Sequence, residues 1–340
     1  MANLTIKDIA KICGVGTSTV SRAINDDPGI NPATKERILR VVEEFHYVPN
    51  NAARNLKLTE NNAIGVLVKG LNNQFFLSMF RIFEEELGKQ GYTFVLKEMA
   101  SDQDEATVAE ELVKEKRLKG IIFMGGKIEN PDVTLKRLDI PYVLCTVAVN
   151  ANVRESASVS IDDEKESYRI VDYLCKLGHK RIAIITGRKN DYAVGGLRLD
   201  GYKRALADHG IAYDANLVGY MKDDIPDFTA KNGYTVMKEL LESGEDFTAV
   251  YAISDLTAFG AYKAISEAGK KIPDDYSVVG FDGIDLTEYM TPSLTTMAQP
   301  KEDLAKATVQ LLMQEIDGVE TEKKVVYDAA FIERDSVRKI

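Results

Sequence analysis

Residues 4–25 read Leu-Thr-Ile-Lys-Asp-Ile-Ala-Lys-Ile-Cys-Gly-Val-Gly-Thr-Ser-Thr-Val-Ser-Arg-Ala-Ile-Asn. The spacing predicts two short helices joined by a glycine turn. Thr5, three residues before Asp8, is a helix-start signature, and Gly14 supplies the tight connection. In the second helix Val20, Ala23 and Ile24 form an apolar face that can pack on Ile6, Ile9 and Ala10. Its other face offers Thr17, Ser18, Ser21 and Arg22. A rigid helix pair that points small polar side chains and one arginine outward suits a DNA major groove. An ordinary helical hairpin docked on another domain would leave a similar trace.

The following residues extend the unit. Asn31-Pro32 opens a third helix whose apolar positions Ile38, Val41, Val42 and Phe45 recur at helical spacing. Val48-Pro49 stops the pattern, which gives a three-helix head over residues 1–47. Residues 48–61 read as a hinge or linker. Its Asn50–Lys57 stretch is too short to stay helical alone in water. Leu56, flanked by Arg54 and Lys57, has the form of an apolar wedge for a minor groove.

The order "TIKDIAKICGVGTSTVSRAIN…INPATKERILRVVEEFHYVPNNAARNLK" resembles the head and hinge of the LacI/GalR (lactose-repressor) family of bacterial transcription regulators. Further landmarks agree: "LGHKRIAIITG" at 177–187, "LRLDGYKRAL" at 197–206, "SVVGFDG" at 277–283, "PSLTTMAQP" at 292–300 and "FIERDS" at 331–336. The resemblance therefore spans the whole chain.

Composition narrows the class. The chain has 340 residues, 45% hydrophobic, enough for a small head plus larger units. Its net charge of −10 at first argues against nucleic acid. Residues 1–60, however, carry eight Lys/Arg against seven Asp/Glu, so the negative charge lies in the body. An acidic body repels DNA from everything except the head. Three separated cysteines (Cys13, Cys145, Cys175) without metal-ligand spacing suit a reducing cytoplasm. With neither a signal-like segment nor a long apolar run, a cytoplasmic protein with no membrane association is expected.

From Asn62 onward short apolar runs alternate with amphipathic segments. The expected strands are Ile64–Lys69, Thr93–Lys97, Gly120–Met124, Tyr142–Cys145, Ser158–Ile161, Arg181–Thr186, Ala249–Ile253 and Ser277–Phe281. Strands spaced by helices imply parallel sheets covered on both faces, and this length implies two α/β lobes. The resemblance implies a periplasmic-binding-protein type I body over 62–340 for effector binding and dimerisation. It places lobe 1 at about 62–159 and 294–318, and lobe 2 at about 160–290 and 325–340.

Parallel α/β sheets bind ligands beyond the carboxyl ends of their strands. There Phe75 and Phe76 can wall a sugar ring, or simply pack in the core. The resemblance carries Arg198 (of "R-x-x-G-[YFW]"), Asp282 (of "VVGFD"), Phe228 as an aromatic lid and Gln299 into the cleft. Two departures from the family pattern stand out. Ser254-Asp255 replaces Asn-Asp, which implies a different ligand face or a bridging water, and Thr146-Val147 replaces an Asp-Arg pair.

No catalytic constellation is present. His46, His179 and His209 lie apart, and "GIIFMGGK" at 120–127 has the wrong glycine spacing for a phosphate loop. No enzyme activity, metal or cofactor is expected. The reading is a repressor of carbohydrate-utilisation genes, a homodimer on double-stranded operator DNA controlled by a sugar-like effector. Because no leucine heptads trail "FIERDS", a dimer is expected rather than a tetramer. Thr17, Ser18 and Arg22 are expected at base edges, with Ser21, Asn25, Asn31 and Thr34 at phosphates and Thr5 also at the DNA. Asn50, Ala53, Arg54 and Leu56 would contact DNA from the hinge. A transport-type sugar receptor, or a regulator controlled by a partner protein, remains the alternative.

Overall fold

A computed structural model describes residues 5–24, 27–45, 62–71, 73–100, 103–126, 128, 131–147, 156–189, 193–320 and 322–340. The chain divides into two compact units, Met1–Asn61 and Asn62–Ile340.

The first unit holds α1 (Ile6–Ile12), α2 (Thr17–Ile24) and α3 (Pro32–Glu44). Thr5 and Asp8 close a capping box at the start of α1. Thr5 Oγ1 and its backbone N–H donate to Asp8 Oδ2 at 2.6 and 2.8 Å, and the Asp8 N–H returns a bond to Thr5 Oγ1. Gly14 turns the chain with φ +61°, in the left-handed region that glycine enters without a Cβ clash. Asn31 Oδ1 accepts from the N–H groups of Ala33 and Thr34 and so caps α3. The three helices enclose Ile9, Ala10, Cys13, Val20, Ala23 and Ile38.

The second unit is built on two six-stranded sheets. The first runs β11–β5–β4–β3–β1–β2, and the second β12–β10–β9–β8–β6–β7. The strands are β1 Ala63–Lys69, β2 Thr93–Met99, β3 Gly120–Met124, β4 Tyr142–Cys145, β5 Ala157–Ile161 and β6 Ile182–Thr186. They continue with β7 Val218–Tyr220, β8 Ala249–Ala252, β9 Ser277–Asp282, β10 Thr295–Ala298, β11 Lys324–Tyr327 and β12 Ala330–Ile332. Among the described residues every pairing is parallel except β10 with β12. The central strands are buried along their length, as parallel strands covered by helices on both faces must be. This is the two-lobed α/β body of the periplasmic-binding-protein type I fold, with a lobe on each sheet.

The chain crosses between lobes after Ile161, after Ala298 and between Tyr327 and Ala330. Two assignments are thereby corrected. Thr295–Ala298, expected in lobe 1, pairs with β9 in the second sheet, while Lys324–Tyr327, expected in lobe 2, pairs with β5 in the first. The polar look of Thr295-Thr296 is deceptive, because both hydroxyls are satisfied within the second lobe. Thr296 Oγ1 donates to Asp255 Oδ1 at 2.6 Å, and Thr295 Oγ1 accepts from the Arg334 N–H at 3.0 Å. The helix Lys301–Asp317 then packs on β3–β5 and on the helix Gln74–Lys89 of lobe 1.

One close approach positions the site. The helices Asp163–Lys176 and Val194–Asp208 cross at Gly201, where an added Cβ would lie 2.2 Å from the Glu164 carbonyl oxygen. Only glycine permits that separation, which brings Asp163 beside Arg198.

Candidate nucleic-acid interface and ligand cavity

In the first unit, Val20 and Ala23 anchor α2, so the opposite face must point outward. Thr17, Ser18 and Arg22 are exposed on it, with Ser21 half-buried beside them. Arg22 Nε lies 3.9 Å from Asp27 Oδ2, an exposed pair that a phosphate or base edge can displace. Asn31 is exposed and Thr34 half-buried at the start of α3, where N–H groups and the helix dipole favour anions. Asn25, Asn50, Ala53, Arg54 and Leu56 lie outside the described residues, as does the hinge.

In the second unit, the carboxyl ends of the strands from both sheets surround a cavity of about 870 Å³. Phe75, Phe76, Arg198, Phe228, Asp282 and Gln299 all line it. Phe75 and Phe76 open the helix Gln74–Lys89, capped by Asn73, with ring centroids 5.5 Å apart. Both are also core residues, so the pair packs in the core and lines the cavity at once.

Arg198 organises the cavity floor. Its Nε and Nη2 each lie 2.8 Å from Asp163 Oδ1, and Nη1 lies 3.8 Å from Asp282 Oδ1 and donates to the Ile253 carbonyl. The guanidinium sits 3.5 Å above the centroid of the Phe281 ring. Burial opposes its charge, but Asp163 and Asp282 more than compensate and raise its pKa. Asp282 Oδ1 accepts from Gln299 Nε2 at 2.8 Å, and Oδ2 accepts from Asn73 Nδ2 at 3.4 Å. The latter bond spans the cleft, since Asn73 follows β1 of one sheet and Asp282 ends β9 of the other. Burial pushes the Asp282 carboxyl up to about 6 against the pull of Arg198, Gln299 and Asn73. Burial also raises Asp163, which Arg198 partly offsets.

Backbone strain concentrates here. Among the described residues, five non-glycine residues have positive φ, and Thr146 (54°), Phe228 (55°) and Asp282 (118°) all line the cavity. The other two, Arg117 and Asp139, sit at helix C-termini, where that conformation is routine. Strained backbone persists where the surroundings over-determine a side chain's aim.

Ser254 is a correction. It does not line the cavity, because its hydroxyl caps the helix Asp255–Glu267, accepting from the Thr257 N–H at 3.3 Å and bonding the Thr257 hydroxyl. Asp255 is fully buried, with Oδ2 accepting from the Ile284 N–H at 2.9 Å, and burial followed by the nearby Asp282 charge raises its pKa well above normal.

The sequence reading did not name Asp163 or Asn73 as site residues. Asp163 lies two residues beyond β5, so the strand-end rule reaches it, but the Asp162-Asp163 pair reads first as helix-start acids. Asp162 is indeed the cap. Thr146 lines the cavity, whereas its neighbour Val147 is buried in the core. The described histidines belong to the scaffold. His179 bonds Thr248 and the Arg338 carbonyl, and His209 pairs with Asp172.

A helix-turn-helix unit joined to a two-lobed ligand-binding-type body defines the class of DNA-binding transcription regulators. Family profiles match both parts: "Bacterial regulatory proteins, lacI family" over residues 5–50 and "Periplasmic binding protein-like domain" over 171–337. The chain is 38% identical to the HTH-type transcriptional regulator MalR of Clostridium butyricum, with 98% of this chain and 99% of that one aligned. It is 32% identical to the HTH-type transcriptional repressor PurR of Vibrio atlanticus over 99% of each chain. A solved transcriptional regulator CelR–cellobiose complex superposes with a TM-score of 0.70 at 29% identity, covering 98% of this chain and 99% of that one. The chain belongs to the lacI family of bacterial regulatory proteins. It is a transcription regulator and not an enzyme. Among the described residues, no helix is long and apolar enough to cross a membrane.

Proposed function

We propose that this chain is a cytoplasmic repressor that binds a near-palindromic operator as a homodimer and releases or grips it according to a sugar-like molecule in the interlobe cavity. The carrying observation is the convergence of Phe75, Phe76, Arg198, Phe228, Asp282 and Gln299 on one cavity in a chain with a helix-turn-helix head. Bound cellobiose in a relative of the same fold supports a sugar as ligand. Two α2 helices from a dimer would enter successive major grooves. Thr17, Ser18 and Arg22 then read base edges, while Ser21, Asn25, Asn31 and Thr34 hold phosphates and Thr5 also meets the DNA. Asn50, Ala53, Arg54 and Leu56 contact DNA from the hinge.

At the floor, Asp282 accepts two hydroxyl protons and Arg198 donates to ring or hydroxyl oxygens. Aromatic walls cover the C–H faces of the sugar. The ligand controls DNA only through its differential affinity for the two lobe arrangements. The test combines selection of bound sequences from random DNA with a thermal-shift screen of sugars on the full chain. Selected near-palindromes together with sugar-induced stabilisation support the proposal. Sugar binding with no DNA sequence preference would instead indicate a receptor module.

A further inference from the structure

Granting the sugar-effector reading just given, we infer that the cavity selects an uncharged oligosaccharide of at least two rings and rejects phosphorylated or acidic sugars. The first observation is charge. Among the described residues, the lining carries Lys69, Arg188, Lys189 and Arg198 against six carboxylates: Glu98, Asp163, Asp223, Asp224, Asp227 and Asp282. Three of the four cations are already engaged. Arg198 is held by Asp163 and Asp282, Arg188 lies 2.9 Å from Asp227 and 3.5 Å from Asp223, and Lys69 is paired with Glu105. Lys189 is exposed. Apart from the exposed Lys189, a phosphate or carboxylate entering this cavity finds cations already paired with carboxylates and an excess of negative charge around them, which costs more than a hydroxyl does.

The second observation is size. At about 870 Å³ the cavity is near the top of the range of roughly 300–1,000 Å³ occupied by drug-sized ligands, several times the volume of one hexose. Both lobes supply apolar wall: Phe75, Phe76 and Met99 from the first, Ile225, Pro226 and Phe228 from the second. One ring on the Arg198–Asp282–Gln299 floor leaves the mouth around Glu98 and Asp223–Asp227 filled only with water.

The third observation is an unmet polar group. Thr146 lines the cavity, and its hydroxyl is buried with no hydrogen-bond partner among the described residues. A sugar hydroxyl both donates and accepts, so it suits this group whichever way the Thr146 proton points.

The test is calorimetric titration of the full chain with glucose, maltose, cellobiose, trehalose, glucose 6-phosphate and trehalose 6-phosphate, repeated on Asp227→Asn. At least one neutral disaccharide should bind at least about tenfold tighter than glucose and than either phosphate. Asp227→Asn, which removes the shorter of the two carboxylate contacts of Arg188, should narrow the gap between trehalose 6-phosphate and trehalose. Tighter binding of glucose or of a phosphate, lost in Arg198→Ala, overturns the ligand class and leaves the cavity's role standing. Binding of none of the six overturns the inference. Whether the parent reading falls with it is read separately, from the effect of Arg198→Ala on regulation in cells.

Discussion

Arg198 makes its tight ion pair with Asp163, at 2.8 Å through both Nε and Nη2, and stands 3.8 Å from Asp282. Asp163 thus fixes the guanidinium, leaving Asp282 engaged by Gln299 and Asn73 through exchangeable hydrogen bonds. Removing one partner of a buried pair strands the other charge. Asp163→Ala should therefore destabilise the body by roughly 3–5 kcal/mol in urea denaturation. Asp163→Asn retains an acceptor oxygen and should fold, but with sugar affinity reduced about tenfold or more. Wild-type affinity in Asp163→Asn would show that Arg198 needs no such anchor.

Gly201 holds that geometry from behind. A Cβ there would sit 2.2 Å from the Glu164 carbonyl oxygen, so Gly201→Ala must push apart the helices that carry Asp163 and Arg198. Overpacking of this kind costs about 1–3 kcal/mol, measurable as a lowered denaturation midpoint. Sugar affinity should fall in the same variant. An unchanged midpoint would contradict the close crossing.

The two signs of pH dependence at Asp282 are opposite. Burial raises the carboxyl to about 6, and ligand hydroxyls that donate to it favour the ionised form. Affinity should be full above that value and decline as pH falls through it, with proton release on binding near pH 6. For folding, the native state holds the proton more tightly than the unfolded chain. The contribution of Asp282 to stability therefore decreases as pH rises between 3.8 and about 6. Titration calorimetry in buffers of different ionisation enthalpy checks the first sign. Affinity constant from about pH 5 to about pH 7.5 would exclude an ionised Asp282 as acceptor.

At the head, Arg22→Ala should cost about 1–3 kcal/mol of operator affinity and relax selectivity at one base pair, as measured by anisotropy across single-base operator variants. Uniform weakening at every variant would assign Arg22 to a phosphate instead.

Much of this was legible beforehand, for identifiable reasons. The helix-turn-helix announced itself because Thr5, Gly14 and the Val20–Ala23–Ile24 face each have a local physical cause. The central strands were legible as uninterrupted apolar runs. Strands β7, β10, β11 and β12 were not, because, unlike the equally short β4 and β8, they are either partly exposed or broken by glycine, threonine or lysine. Thr295-Thr296 owes its burial to Asp255 and Arg334, which are distant in sequence, and Val326 of β11 is largely exposed. Strand ends located Phe75 and Asp282 because loops there have nowhere else to converge, whereas Arg198, within the helix Val194–Asp208, was carried by the family resemblance. They failed at Ser254, whose extended backbone folds the hydroxyl back over its own helix. They also undervalued Asp163, whose partner lies a helix away.

The central claim is that a molecule in the interlobe cavity sets DNA affinity. It is tested most directly by fluorescence anisotropy of a selected operator with wild-type and Arg198→Ala protein, with and without the best-binding neutral disaccharide. The account predicts that sugar shifts the wild-type operator Kd by about 5–150-fold, while Arg198→Ala binds the operator normally and does not shift. A sugar-dependent shift of wild-type size in Arg198→Ala would contradict it.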